Sequence, residues 1–119
     1  MSTNADLLAH ARDVVERSAR ALAELRLRLQ VSTASSGPQH RLIVEGAVHD
    51  LARRHETLLG LYRAMEGAEP ERLPGVWQDF FACYDGFLDA LRQARTSMAR
   101  AESLARHKPD DGTPPAQGE

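Results

Sequence analysis

One cysteine, few aromatics and no long apolar run are the first things the sequence offers, and each shortage closes off a class of protein. Cys83 is the only cysteine. No disulfide can form within the chain and no cysteine-based zinc site can be built, and a lone thiol, read as a small buried hydrophobe, fits a reducing cytoplasm. No apolar run approaches the ~20 residues of a membrane span, and the N-terminus lacks a charged-then-apolar leader pattern. The sequence therefore predicts a soluble, cytoplasmic protein without a membrane partner. A large charge of one sign is missing too: fifteen basic residues stand against seventeen acidic, a formal charge of −2. The stretch after His107 accounts for it, with Lys108 against Asp110, Asp111 and Glu119. No basic stripe draws the chain to nucleic acid or anionic lipid. There is no glycine-rich phosphate loop, no Gly-x-Ser-x-Gly turn and no inward-facing carboxylate pair, so neither an enzyme nor a cofactor is expected. At 119 residues the chain is read as one domain.

What is abundant is helical periodicity. Val44, Val48, Leu51, His55, Leu58, Tyr62 and Met65 follow one another by fours and threes, the spacing of a helix packed lengthwise against partners. Ahead of it, Thr3-Asn4-Ala5-Asp6 has the form of a capping box, placing a first helix over about 4–31. Its seam is Leu8, Ala11, Val15, Ser18, Leu22, Leu25 and Leu29, widened by Leu7, Val14 and Ala21, with Asp13/Arg17, Glu16/Arg20 and Glu24/Arg28 as outer i,i+4 pairs. Ser32 to Gly37 reads as a turn, and Pro38 suits the start of a second helix over about 38–66, stopped by Gly67 at C′. Glu69 to Gly75, with Pro70 and Pro74, reads as a connector. A third helix over about 76–106 carries Phe80, Tyr84, Phe87, Leu91, Ala94, Met98, Ala101 and Ala105, aromatic and tight at first, thinner and prone to fray later. Gly86 weakens its middle by up to ~1 kcal/mol relative to alanine, a cost tolerated where backbones approach closely. Residues 109–119 hold nothing to bury and are expected to be disordered.

The fold expected is all-α: a long antiparallel hairpin plus a third long helix within 1–108. The wide stripes favour a homodimer with a four-helix-bundle core, a monomeric three-helix bundle being the competing arrangement. Bundle or dimer interface positions are Leu22, Leu25, Leu29, Val48, Leu51, His55, Leu58 and Tyr62; Trp77, Phe80 and Tyr84 are candidates for binding a partner.

Five histidines stand at 10, 40, 49, 55 and 107, none in a metal-ligand spacing, so no metal is expected. Glu45 and His49 are close enough on a helix to touch. His55 sits inside the apolar seam, either hydrogen-bonded across the bundle or a pH-sensitive packing contact. His10, with Asp6 and Asp13 one turn either side, is a surface histidine or a phosphoacceptor. Glu56, Asp79, Asp85 and Asp89 read as solvent-facing charges.

Glu45-Gly46, Leu51-Ala52-Arg53 and His55-Glu56-x-Leu58-Leu59 resemble the second helix of the dimerisation and phosphotransfer hairpin in HWE-type sensor histidine kinases. Leu27-Arg28-Leu29-Gln30 is similar to the end of that hairpin's first helix, and the resemblance runs from Val14 to Tyr62. The family's phosphoacceptor histidine falls on Val14, so the histidine is missing, as is the ATP-binding domain. The resemblance implies a degenerate hairpin that dimerises, does not autophosphorylate, and docks a response-regulator receiver or a sensor kinase. Two rivals are a histidine phosphotransfer protein using His10 and a small helical secretion chaperone or scaffold offering its aromatic third-helix face.

Overall fold

Thr3 opens the first helix with two reciprocal bonds: its hydroxyl accepts from the Asp6 amide at 3.1 Å, and its own amide donates to the Asp6 carboxylate at 3.2 Å. This is the capping box expected from the sequence, with aspartate in the usual place of glutamate. The computed structural model describes residues 3–32 and 38–107, and over them the chain forms three helices: α1 (Asn4–Ser32), α2 (Pro38–Gly67) and α3 (Leu73–His107). The expected turn over 33–37 and the expected disordered tail lie outside the described residues.

Two helix ends differ from expectation. Gly67 is the last residue of α2 and its backbone stays out of the left-handed region, so it is no C′ glycine; Ala68 N–H closes the end on the Met65 carbonyl at 3.2 Å instead. The connector is also shorter than its prolines suggested. The Leu73 amide donates to the Glu69 carbonyl and the Val76 amide to the Arg72 carbonyl, both at 3.2 Å, so α3 grows directly out of the turn at 70–72. Pro74 falls in the first turn of α3, where a missing N–H costs nothing.

Contacts along the chain set the topology. Asn4 donates to the Pro70 carbonyl, His10 meets Trp77, and Arg28 meets Glu102, so α1 and α3 ascend together. His55 meets Phe87, while His40 and Ile43 share a groove with Ser97 and Arg100, so α2 descends between them. The result is an up-down-up three-helix bundle, and no strand occurs among the described residues.

The core lies along the axis of this bundle. Val44, Val48, Leu51, His55, Leu58 and Met65 of α2 are all buried, facing Ala11, Val14, Ser18, Leu22 and Leu25 of α1 and Leu73, Phe80, Phe87, Leu91, Ala94, Met98 and Ala101 of α3. Each large apolar side chain buried this way contributes about 1.5–3 kcal/mol. Met98 and Ala101 are fully covered, so the described part of the late, thinner half of α3 belongs to the core; the Ala105 side chain lies outside the description. On α1 the burial centre is Val14, with Leu8 and Val15 only half-buried.

The seam positions expected at a bundle or dimer interface are thus occupied inside one chain. Leu22, Leu25, Val48, Leu51, His55 and Leu58 are buried, and Leu29 and Tyr62 half-buried. α3 takes up part of the width of the α1 and α2 stripes.

Candidate functional site

His55 is the one side chain in the middle of the bundle with chemistry to offer. It projects from the inner face of α2 between Leu51 and Leu58, both fully covered, and is itself 8 % exposed. Its ring lies 6.3 Å, centroid to centroid, from the Phe87 ring of α3. Nδ1 is sealed from solvent and has no hydrogen-bond partner. The expectation of a bond across the bundle is therefore corrected: α3 meets this ring with the Phe87 phenyl, and the buried Ser18 hydroxyl of α1 donates to its own helix at the Val14 carbonyl at 2.8 Å. Burial pushes the imidazole below its ordinary 6.5, Glu56 opposes that shift and Arg26 adds to it.

At the end where α1 and α3 begin, His10 meets an aromatic cluster. Its ring stands edge-on to Trp77 at 5.3 Å and tilted against Phe81 at 5.5 Å, while Trp77 and Phe81 are 4.3 Å apart. The ring is exposed, as a phosphoacceptor must be, but its two flanking carboxylates serve elsewhere. Asp6 caps α1 through Thr3, and Asp13 bonds Arg17 at 2.7 Å.

The aromatic face of α3 is largely core. Phe80 and Phe87 are buried, Trp77, Phe81 and Tyr84 half-buried, and Tyr84 stacks on Phe87 at 6.3 Å. Phe80, expected to bind a partner, is 0 % exposed and cannot do so in the closed bundle; Trp77 and Tyr84 keep only part of their surface. Part of the face on which the chaperone reading depends is thus buried, and part of it stays open.

Of the large apolar groups left open among the described residues, Leu88 of α3 is 37 % exposed and the four most exposed stand toward the other end. Leu27 (64 % exposed) and Val31 (72 %) close α1, and Leu42 (68 %) and Ile43 (61 %) open α2, two on each arm beside the link between them. None of the four lies on a core seam of its helix. The signal was present: Leu27 and Val31 are i,i+4 neighbours on the side of α1 opposite Leu22 and Leu25.

The remaining candidates are dispersed. Glu45 accepts from Arg41 at 3.0 Å and has no bond to the exposed His49. Glu56, Asp79, Asp85 and Asp89 face solvent as expected. Cys83 is half-buried in a groove of about 300 Å³ lined with Arg54, Thr57, Ala82 and Gly86. A Cβ at Gly86 would stand 3.0 Å from Nη1 of Arg54, so the close neighbour at this glycine is a guanidinium on α2. The Tyr62 phenol is pushed up by burial and then by Glu66. Among the described residues no three of His, Cys, Asp and Glu are grouped to hold a metal ion, and no helix is long and apolar enough to cross a membrane. No protein-family description, curated protein or solved structure matches this chain.

Proposed function

We propose that the protein is a non-catalytic helical interaction module of two-component signalling, a degenerate kinase-like hairpin that binds a receiver or sensor-kinase domain in the cytoplasm and so regulates phosphotransfer. One observation carries this reading. Four large aliphatic side chains, each more than 60 % exposed, stand on the last turns of α1 and the early turns of α2, and open apolar groups of this size support a surface that another protein covers. The antiparallel pairing of α1 and α2 supports it, as does the position of Val14. That residue stands where the resembling kinases carry their histidine, and here it is a core side chain 1 % exposed. Self-pairing through the α1–α2 seam, the other half of what the resemblance implies, requires α3 to leave that seam; the unit proposed to act is the closed three-helix chain.

Immobilised protein is offered a panel of receiver and kinase domains, beside a Leu27→Ser/Ile43→Ser variant. Binding by wild type that the variant loses, at unchanged helicity, is the expected result. A wild type that captures neither domain class ends the proposal.

A further inference from the structure

The slot filled by His55 is built for a hydrocarbon. Leu51 and Leu58 lie one turn before and one turn after it, each 0 % exposed, and Phe87 closes it from α3. A leucine there would leave no polar atom unsatisfied. Imidazole instead brings a nitrogen, Nδ1, that is buried without a partner. In the neutral ring with its proton on Nε2 this nitrogen is an acceptor with nothing to accept; in the imidazolium it becomes a charged donor with nothing to donate to. The second condition is far worse than the first, because a buried charge without a partner is among the costliest groups a core can hold.

No packed element relieves that charge. From α1 the charged group that acts on the ring is Arg26, which repels a proton. From α3 the contact is the Phe87 phenyl. On α2 itself Glu56 attracts a proton, but it follows His55 directly in the chain, faces solvent, and its carboxylate makes no bond to the ring.

We propose that His55 is a proton-operated catch: the ring binds a proton more tightly once α2 separates from α1 and α3 around it, so acidification favours opening of the middle of the bundle. The sign follows from the direction of the burial effect. The closed bundle holds the ring below its ordinary 6.5, so stability is full above that value and is lost as the pH falls from 6.5 toward the lower closed-state value. One proton is taken up on opening, so each pH unit inside this window raises the open-to-closed ratio by at most about tenfold. Opening would bare Leu51, Leu58 and Phe87, each no more than 1 % exposed in the closed bundle. The catch is independent of the partner proposed above and stands or falls separately.

The test compares the pH dependence of unfolding, by circular dichroism in denaturant between pH 7.5 and 5, in wild type, His55→Leu and His55→Gln. All three keep His10, His40, His49 and His107, so differences belong to position 55. Wild type should lose stability below pH 6.5 with a contribution from position 55 of no more than about tenfold in the unfolding constant per unit, and both variants should lose that part of the slope. Parallel profiles in all three overturn the proposal. Should either variant fail to fold, the Cε1–H resonance of His55 in folded wild type decides alone. A titration midpoint below those of the exposed histidines upholds the catch, and one equal to or above theirs refutes it.

Discussion

Arg28 of α1 and Glu102 of α3 are joined by two parallel bonds, Nη2 to Oε1 at 2.7 Å and Nε to Oε2 at 3.1 Å. The fork is 33 % and 27 % exposed, whereas the second described ion pair between these helices, Arg95 with Glu24, is 3.7 Å long and 50 % and 60 % exposed. The hydrogen bond to Glu102, ahead of the charge effects, holds the Arg28 guanidinium even more firmly protonated than usual. A double-mutant cycle on Arg28→Ala and Glu102→Ala should give a coupling of about 1 kcal/mol, the range for bidentate pairs after allowance for solvent screening. The same cycle on Arg95 and Glu24 should give roughly zero. Arg28→Lys should recover less than half of the first coupling, since an ammonium cannot make the fork. Urea unfolding of the five single variants and three doubles, Arg28→Lys/Glu102→Ala among them, measures all three.

Gly46 and Gly60 lie inside α2 with open space where a Cβ would stand. Alanine at either should therefore gain helix propensity without a clash, raising stability by about 0.5–1 kcal/mol each, and the two should add. A melting temperature a few degrees higher for each single variant is the expected reading; a decrease would show that the space is used.

Ser18 occupies a seam position, 2 % exposed, yet its hydroxyl bonds only to the Val14 carbonyl of its own helix. Such a back-bond ties no two helices together and slightly opposes the helix that makes it. Ser18→Ala should change stability by no more than about 0.5 kcal/mol, whereas Leu51→Ala, at a fully covered position of α2, should cost about 2–5 kcal/mol. Denaturant midpoints at equal m-value separate the two.

His10 has neither flanking carboxylate free to orient it, since Asp6 and Asp13 are bonded to Thr3 and Arg17. Incubated with a phosphorylated receiver domain, the protein should take up no acid-labile label. Label that appears on wild type and disappears in His10→Ala would favour the phosphotransfer reading instead.

The helices themselves were legible because their burial follows a strict spacing. The α2 seam from Val44 to Met65 is the buried face, with Tyr62 alone half-open, and Thr3 with Asp6 caps α1 as the local pattern requires. What escaped was decided by neighbours distant in the chain. Glu24 and Arg28, four apart and of opposite charge, each found a partner on α3, and Glu16 bonds Arg12 at 3.4 Å in place of Arg20. Spacing likewise located His55 within the seam but could not reveal that no acceptor or donor from another helix reaches it, because that depends on which side chains α1 and α3 set opposite. The open leucines and their β-branched neighbours beside the link were visible as residues, yet only the assembled bundle distinguishes an outward aliphatic side from an inward one.

Because α1 and α3 ascend together, the bundle is polar in the sense of an arrow: both begin beside the His10 and Trp77 rings and both end beside Val31 and Leu42. A dye on Asn4 and another on Ser103 would report from opposite poles, roughly 40 Å apart for helices of this length. Energy transfer between them would then serve as a strain gauge, falling if the rod lengthens by fraying and rising if it hinges at its waist.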